Sequence, residues 1–268
     1  MPMIYAMSDI HGCHEAMLKS LDMIYLEPLD HLVFVGDYVD GGDKSFQVLT
    51  TIMNFEKEFP QQVTVLWGNH DEWLSNWLFS EDQGINSYAC SVGFKTVSSF
   101  FSEAEIEEII ASISQFLRIQ DRLVALNDLF RKRIVQDTRF TELLEWIKNK
   151  SNAQRYFETE NQIFVHAGID EELGEYWKVG TADYLFTRKF PATTGSFYKD
   201  IISGHIYSDT VARDKSYLGS VYWDGYNHFF IDGNTIKSGI VPILKYDIET
   251  YNYSSFNISR DTWEECIR

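Results

Sequence analysis

Cysteine and basic side chains are both scarce in this sequence of 268 residues. The three cysteines, Cys13, Cys90 and Cys266, form no C-x-x-C pair. Neither a disulfide framework nor a zinc-thiolate site is therefore indicated, and reduced thiols are the simple expectation. Lysine plus arginine total 23 against 40 aspartate plus glutamate, a formal net charge of -17. A field of that sign repels polyanions at long range, so neither a nucleic-acid partner nor an anionic membrane surface is expected. The chain also lacks any apolar run long enough to cross a bilayer, any internal repeat and any Pro/Gly/Ser-rich linker. Residues Met1 to Ser8 have neither the charged nor the apolar region of a secretory leader and read as a first strand, so a cytoplasmic protein is expected.

What is present is enough apolar material, 44% of residues, to fill the core of one large domain spanning 1–268. The first half alternates short β-rich runs (Ile4 to Met7, His31 to Val35, Val63 to Leu66) with helical stretches near Glu15 to Ile24 and Ser45 to Glu58. This βαβ order predicts a parallel sheet and an α/β fold. Each run ends in a polar cluster: Ser8-Asp9-Ile10-His11-Gly12, Gly36-Asp37-Tyr38-Val39-Asp40, and Gly68-Asn69-His70-Asp71. Ligands of parallel sheets sit beyond the carboxyl ends of the strands, so the three clusters should converge in space.

From about residue 72 to 160 apolar residues recur at helical spacing, as in Ile106-Ile109-Ile110-Ile113, which predicts a helical insertion. Ser102 with Glu105 forms a capping-box pattern, and Thr141 is a candidate cap for a later helix. Strand signals return at Gln162 to Val165 and Ile201 to Ser203, followed by His166-Ala167-Gly168 and Gly204-His205. Three further runs, Ser220 to Trp223, His228 to Ile231 and Ile240 to Tyr246, predict a second, more antiparallel sheet, with Asp224-Gly225 and Asp232-Gly233 as its turns.

Carboxylate, imidazole and amide oxygen together suit a divalent ion such as manganese, iron or zinc. Asp9, His11, Asp37, Asn69, His166 and His205 are the candidate ligands of two such ions, with Asp37 the candidate bridge. Two ions so held would generate a hydroxide near neutral pH for displacement at phosphorus. His70, beside Asn69, is the candidate general acid, and Asp40 the carboxylate that orients it.

The ordered set Asp-x-His-Gly, Gly-Asp-x-Val-Asp, Gly-Asn-His-Asp, His-Ala-Gly and Gly-His, spanning Asp9 to His205, resembles the calcineurin-like metallophosphoesterases of the phosphoprotein phosphatase superfamily. Within it, the chain is similar to bacterial and phage Ser/Thr phosphatases and to symmetrical bis(5'-nucleosyl)-tetraphosphatases. The resemblance implies a four-layer α/β/β/α sandwich, a dinuclear manganese or iron/zinc centre, and hydrolysis without a covalent phosphoenzyme. A phosphorylated protein or small phosphoester is the implied substrate, with diadenosine tetraphosphate the alternative and a non-catalytic metal- or phosphoprotein-binding scaffold a second one. The family's second motif normally ends Asp-Arg-Gly, its arginine gripping phosphate, whereas here it reads Asp40-Gly41-Gly42. Lys44 is a candidate replacement, and Arg188, in Leu185-Phe186-Thr187-Arg188, is the candidate for the family's other phosphate-contacting arginine, with Asn69 also facing substrate.

Overall fold

The computed structural model describes residues 2–79, 88–116, 118–257 and 261–266. Period-two alternation along short strands decides the layering. In β1 (Met3–Met7), β2 (His31–Phe34) and β3 (Val63–Val65), Tyr5, Met7, Leu32, Phe34, Val63 and Val65 pack against helices α1 (His14–Leu21) and α2 (Ser45–Glu58) through Met17, Val48 and Ile52. Their neighbours Ile4, Ala6 and Val33, with Val35 and Leu66 just beyond the strands, enter a second core with Phe164, Ile202 and Phe229 of the other sheet. A third core, Ile163, Val165 and Ile201 against Trp177 and Phe186, closes that sheet's outer face. The result is helices, sheet, sheet, helices, the expected four-layer α/β/β/α arrangement.

The first sheet is completed by β9 (Leu244–Asp247), β10 (Tyr253–Asn257) and β11 (Thr262–Cys266), in the order β11-β10-β9-β1-β2-β3. The second contains β4 (Tyr156–Glu158), β5 (Gln162–Val165), β6 (Asp200–Ser203), β7 (Tyr222–Trp223) and β8 (His228–Phe230), in the order β4-β5-β6-β8-β7. Strands β1, β2 and β3 run parallel in one sheet, and β5, β6 and β8 in the other.

Three expectations need correction. The run Ile240 to Tyr246 does not join the second sheet: the strand begins at Leu244 and pairs antiparallel with β1. Pro242, which has no N–H to offer a ladder, interrupts the run, and Leu244 and Tyr246 fill the core between the sheets. The helical stretch starts earlier, with α3 (Asn69–Phe79), continues through α4 (Phe94–Ser98), α5 (Glu103–Ser112), α6 (Ile119–Gln136) and α7 (Thr141–Ser151), and then gives way to β4 inside the expected 72–160 range. A three-residue strand is too short for period-two pattern to reveal. Thr141 is not a cap: Phe140 is the N-cap residue, and the preceding turn is capped by Asp137, which accepts from the Arg139 N–H at 2.9 Å. The Ser102–Glu105 capping box is present in both directions.

Among the described residues no helix is long and apolar enough to cross a membrane. Phe229 lies 1% exposed between the sheets, stacked against Trp223 and touching the Tyr253 ring. Phe229→Ala should lower the unfolding free energy in urea by about 3–5 kcal/mol; a loss below about 1 kcal/mol would contradict a tightly packed inter-sheet core.

Candidate metal centre

The loops that follow the parallel strands of the two sheets meet in one place. Asp9 and His11 follow β1, Asp37 follows β2, Asn69 opens α3 after β3, His166 follows β5 and His205 follows β6. Asp9, His11, Asp37, Asp40 and His205 all adopt positive φ, between 49° and 70°. Each left-handed residue costs about 1–2 kcal/mol, and aspartate is among the residues that tolerate it best. The strained loops are tied to one another. Asp9, His11 and Gly12 donate N–H groups to the carbonyls of Gly36, Asp37 and Tyr38. Asp71 accepts the N–H groups of Asp37 at 2.7 Å, Tyr38 at 2.9 Å and Gly68 at 3.0 Å, stapling the loops after β2 and β3. The two sheets are joined by the N–H of His205, which reaches both carboxylate oxygens of Asp9 at 3.1 and 3.2 Å.

Those ties settle which nitrogen each imidazole presents. The Nδ1 atoms of His11 and His166 contact the carbonyls of Val39, at 3.0 Å, and Val35, at 2.9 Å. A carbonyl only accepts, so Nδ1 carries the hydrogen in both and Nε2 faces inward. His11 Nε2 then lies 3.8 Å from both Asp9 Oδ1 and Asp37 Oδ2, while His166 Nε2 lies 3.3 Å from Asp37 Oδ2 and 3.2 Å from Asn69 Oδ1. Among the described residues, two groups have ligand atoms within 4.8 Å of one another: His11, Asp37 and His70, and Asp37, His166 and His205. Asp37 belongs to both.

Electrostatics make the same point. Burial raises the Asp9 carboxyl above its usual range despite the nearby imidazoles. Asp37, equally buried, is held below that range because His166 and His11 outweigh the burial. Burial alone would suppress charge on His166, but Asp37 and Asp9 push it up to about 10. Burial, aided by the charges of His166 and Arg188, brings His205 down to about 4. Carboxylates crowded at 1% and 2% exposure, with imidazole nitrogens and an amide oxygen beside them, have the donor set that divalent cations fit.

His70 lines a cavity of about 270 Å³ together with His11, Asp37, Asn69 and His205. Its Nδ1 is 2.8 Å from Asp40 Oδ2, and that contact raises the imidazole above its ordinary value against the opposing effect of burial. With Nδ1 engaged, Nε2 is the nitrogen left to face the cavity. Of the two candidate phosphate cations, Arg188 is held at 2.6 Å by Glu72, which also bonds Arg155 at 2.9 Å, and its charge is felt at His205. Lys44 instead pairs with Glu15 on the surface, and neither cation is among the residues lining the cavity. Gly41 has a φ of +87° and packs under the Ile236 side chain, so a residue with a Cβ would meet it at 2.7 Å. Its carbonyl accepts from Lys95 Nζ at 2.7 Å.

Six lining residues were not anticipated: Val92, Tyr207, Asp232, Asn234, Thr235 and Ile236. Asp232 follows β8, parallel to β6, and so obeys the same strand-end rule as the others; its reading as a turn residue concealed this. It does accept the N–H of Asn234 at 2.8 Å, but it is only 1% exposed and its carboxyl is pushed well above the usual range by burial and by Asp9.

The sequence model of the calcineurin-like phosphoesterases matches residues 2–209. A symmetrical bis(5'-nucleosyl)-tetraphosphatase of Actinobacillus succinogenes is 28% identical over 138 residues, 49% of this chain and 42% of that protein. A serine/threonine-protein phosphatase PP1-delta of Caenorhabditis elegans is 31% identical over 70 residues, 26% of this chain and 23% of its own length. The matched segments thus span less than half of either relative. The structure of a cold-active protein tyrosine phosphatase superposes with a TM-score of 0.59 at 14% identity, covering 98% of this chain and 78% of that one, a likeness of fold alone.

Two glycines make room for the central carboxylates: a Cβ on Gly204 would lie 2.0 Å from Asp9 Oδ2, and one on Gly68 2.1 Å from Asp37 Oδ1. Gly204→Ala and Gly68→Ala should each weaken manganese binding, measured by calorimetry, by roughly 10- to 100-fold. Gly225→Ala, at a positive φ that Gly204 and Gly68 lack and with nothing within 4 Å, controls for general destabilisation away from the carboxylates; equal weakening in all three would refute the cradle.

Proposed function

The chain belongs to the calcineurin-like phosphoesterase family, and on that premise we propose that it is a metal-dependent phosphomonoesterase of the Ser/Thr phosphatase kind. Asp9, His11, Asp37, Asn69, His166 and His205 are the residues proposed to hold two divalent cations, manganese being the favoured ion and iron or zinc the alternatives. The observation that carries the reading is the membership of Asp37 in both candidate ligand groups, on a cavity that also receives the His70–Asp40 pair. Bound there, the cations supply Lewis acidity toward the phosphoryl oxygens and activation of the attacking water.

The remaining chemistry falls to side chains of the chain itself. As the phosphorus–oxygen bond breaks, the leaving oxygen takes the proton from His70 Nε2, and Asp40 at Nδ1 stabilises the imidazolium until that moment. Arg188, held by Glu72, is the proposed cation for the phosphoryl group, in preference to the surface-paired Lys44.

Size and charge favour a monoester over the tetraphosphate alternative. A cavity of about 270 Å³, with Asp37, Asp40 and Asp232 on its wall, suits one phosphoryl group and a compact leaving group. A dinucleoside tetraphosphate would run several further negative charges over a protein of net charge -17.

With manganese supplied, kcat/KM on a phosphothreonine peptide should exceed that on diadenosine tetraphosphate by at least about tenfold; the reverse order would make the chain a tetraphosphatase. No turnover of either substrate would favour a binding scaffold. His70→Asn should lower kcat by about 10²–10⁴ with both metals retained, counted by elemental analysis. Arg188→Ala should raise KM at least tenfold more than Lys44→Ala does, and equal effects would return Lys44 to the phosphate.

A further inference from the structure

The carboxylate that orients His70 is itself held by the helical segment between β3 and β4. Asp40 Oδ2 faces His70 Nδ1, while Oδ1 accepts two hydroxyl groups, that of Tyr88 at 2.6 Å and that of Thr96 at 2.7 Å. Thr96 lies on α4 and Tyr88 in the short 3-10 turn Tyr88–Cys90 that precedes it. Thr96 Oγ1 also accepts the backbone N–H of Asp40 at 2.9 Å, so one hydroxyl grips both the carboxylate and the main chain of a residue at φ +70°. Its single proton goes to Asp40, so Ser45 Oγ, 3.1 Å away, must be the donor in their contact.

Both hydroxyls are buried and seated. The Tyr88 ring is 4% exposed, lies against Trp77 with 5.7 Å between centroids, and occupies the space a side chain at Gly93 would need, where a Cβ would come within 2.2 Å of the ring. Thr96 is fully buried. With Oδ1 saturated by two O–H donors, the carboxylate plane is fixed and only Oδ2 remains for His70.

We propose that Tyr88 and Thr96 are positioning residues for the general acid, and that the helical segment thereby forms part of the catalytic apparatus. This rests on the reading of His70 as that acid. A rotated Asp40 would leave the imidazole free to turn away from the leaving oxygen, and such a loss is felt according to how much protonation that oxygen needs. Alkyl alkoxides need it most, and acidic phenolates least.

The test is kcat/KM of the manganese-loaded full chain on phosphate monoesters whose leaving groups run from an alkyl alcohol to 2,4-dinitrophenol. Tyr88→Phe and Thr96→Val should lose at least about tenfold more on the alkyl ester than on the dinitrophenyl ester, and Thr96→Ser should recover most of the loss. His70→Asn provides the reference with the same selectivity, only larger. If His70→Asn loses the same factor on every ester, the general-acid reading fails. If it is selective while Tyr88→Phe and Thr96→Val lose uniformly or not at all, the positioning role fails and the hydroxyls serve folding alone. Metal content and circular dichroism of each variant keep misfolding apart from either outcome.

Discussion

Carboxylate charge gathered at the ends of parallel strands is the constraint on which this structure turns. Asp9, Asp37, Asp40, Asp71 and Asp232 are each no more than 2% exposed. Buried carboxylates must be met by donors or cations, because desolvation otherwise favours the neutral acid. Donors divide the four nearest the first sheet, Asp9, Asp37, Asp40 and Asp71, into two kinds. Asp71 takes three backbone N–H groups, and Asp40 takes an imidazole and two hydroxyls. Asp9, by contrast, spreads one backbone N–H over both oxygens, and Asp37 takes one from His70 while its other oxygen faces the imidazoles of His11 and His166. Asp71 and Asp40 brace the site through their donors, whereas Asp9 and Asp37, side by side after β1 and β2, are left facing the imidazoles.

The backbone follows from the same demand. Turning a chain sharply at a strand end, so that its next carboxylate points along the strand axis, requires left-handed residues, and five of the candidate site residues adopt them. Such conformations persist only where surrounding bonds over-determine them. Here the N–H groups after β1 are received by the loop after β2, Asp71 ties that loop to the start of α3, and His205 closes the circuit across the sheets. Rigidity of the site is thus distributed among hydrogen bonds that no single loop owns.

This explains what the sequence discloses and what it conceals. A polar residue directly after an apolar run is a local event, so Asp9, Asp37, Asn69, His166 and His205 can be read along the chain, and the strand-end rule brings them together. Asp232 obeys that rule too, but Asp-Gly is also a turn signal, and only the parallel pairing of β8 with β6 distinguishes the two. The sheet to which β9 belongs is equally hidden, because Leu244 and Tyr246 present the same alternation to either partner. At Gly41 the missing arginine is plain in the sequence, whereas Ile236, which fills the space above it, comes from the far end of the chain and is found only by packing.

The hydroxyls on Asp40 carry this contrast into energetics. Asp9, His11, Asp37, His166 and His205 stand at the ends of β1, β2, β5 and β6, interior strands whose flanking cores are almost wholly buried, and such elements open only with global unfolding. Tyr88 and Thr96 stand on short helical turns of five residues or fewer, stabilised by packing on Trp77 and by hydrogen bonds to their neighbours. Short elements of that kind open locally at lower free energy than a central sheet does. Assembly of the site is therefore graded: the carboxylates and imidazoles are set by the sandwich itself, while the orientation of His70 depends additionally on the helical segment being docked.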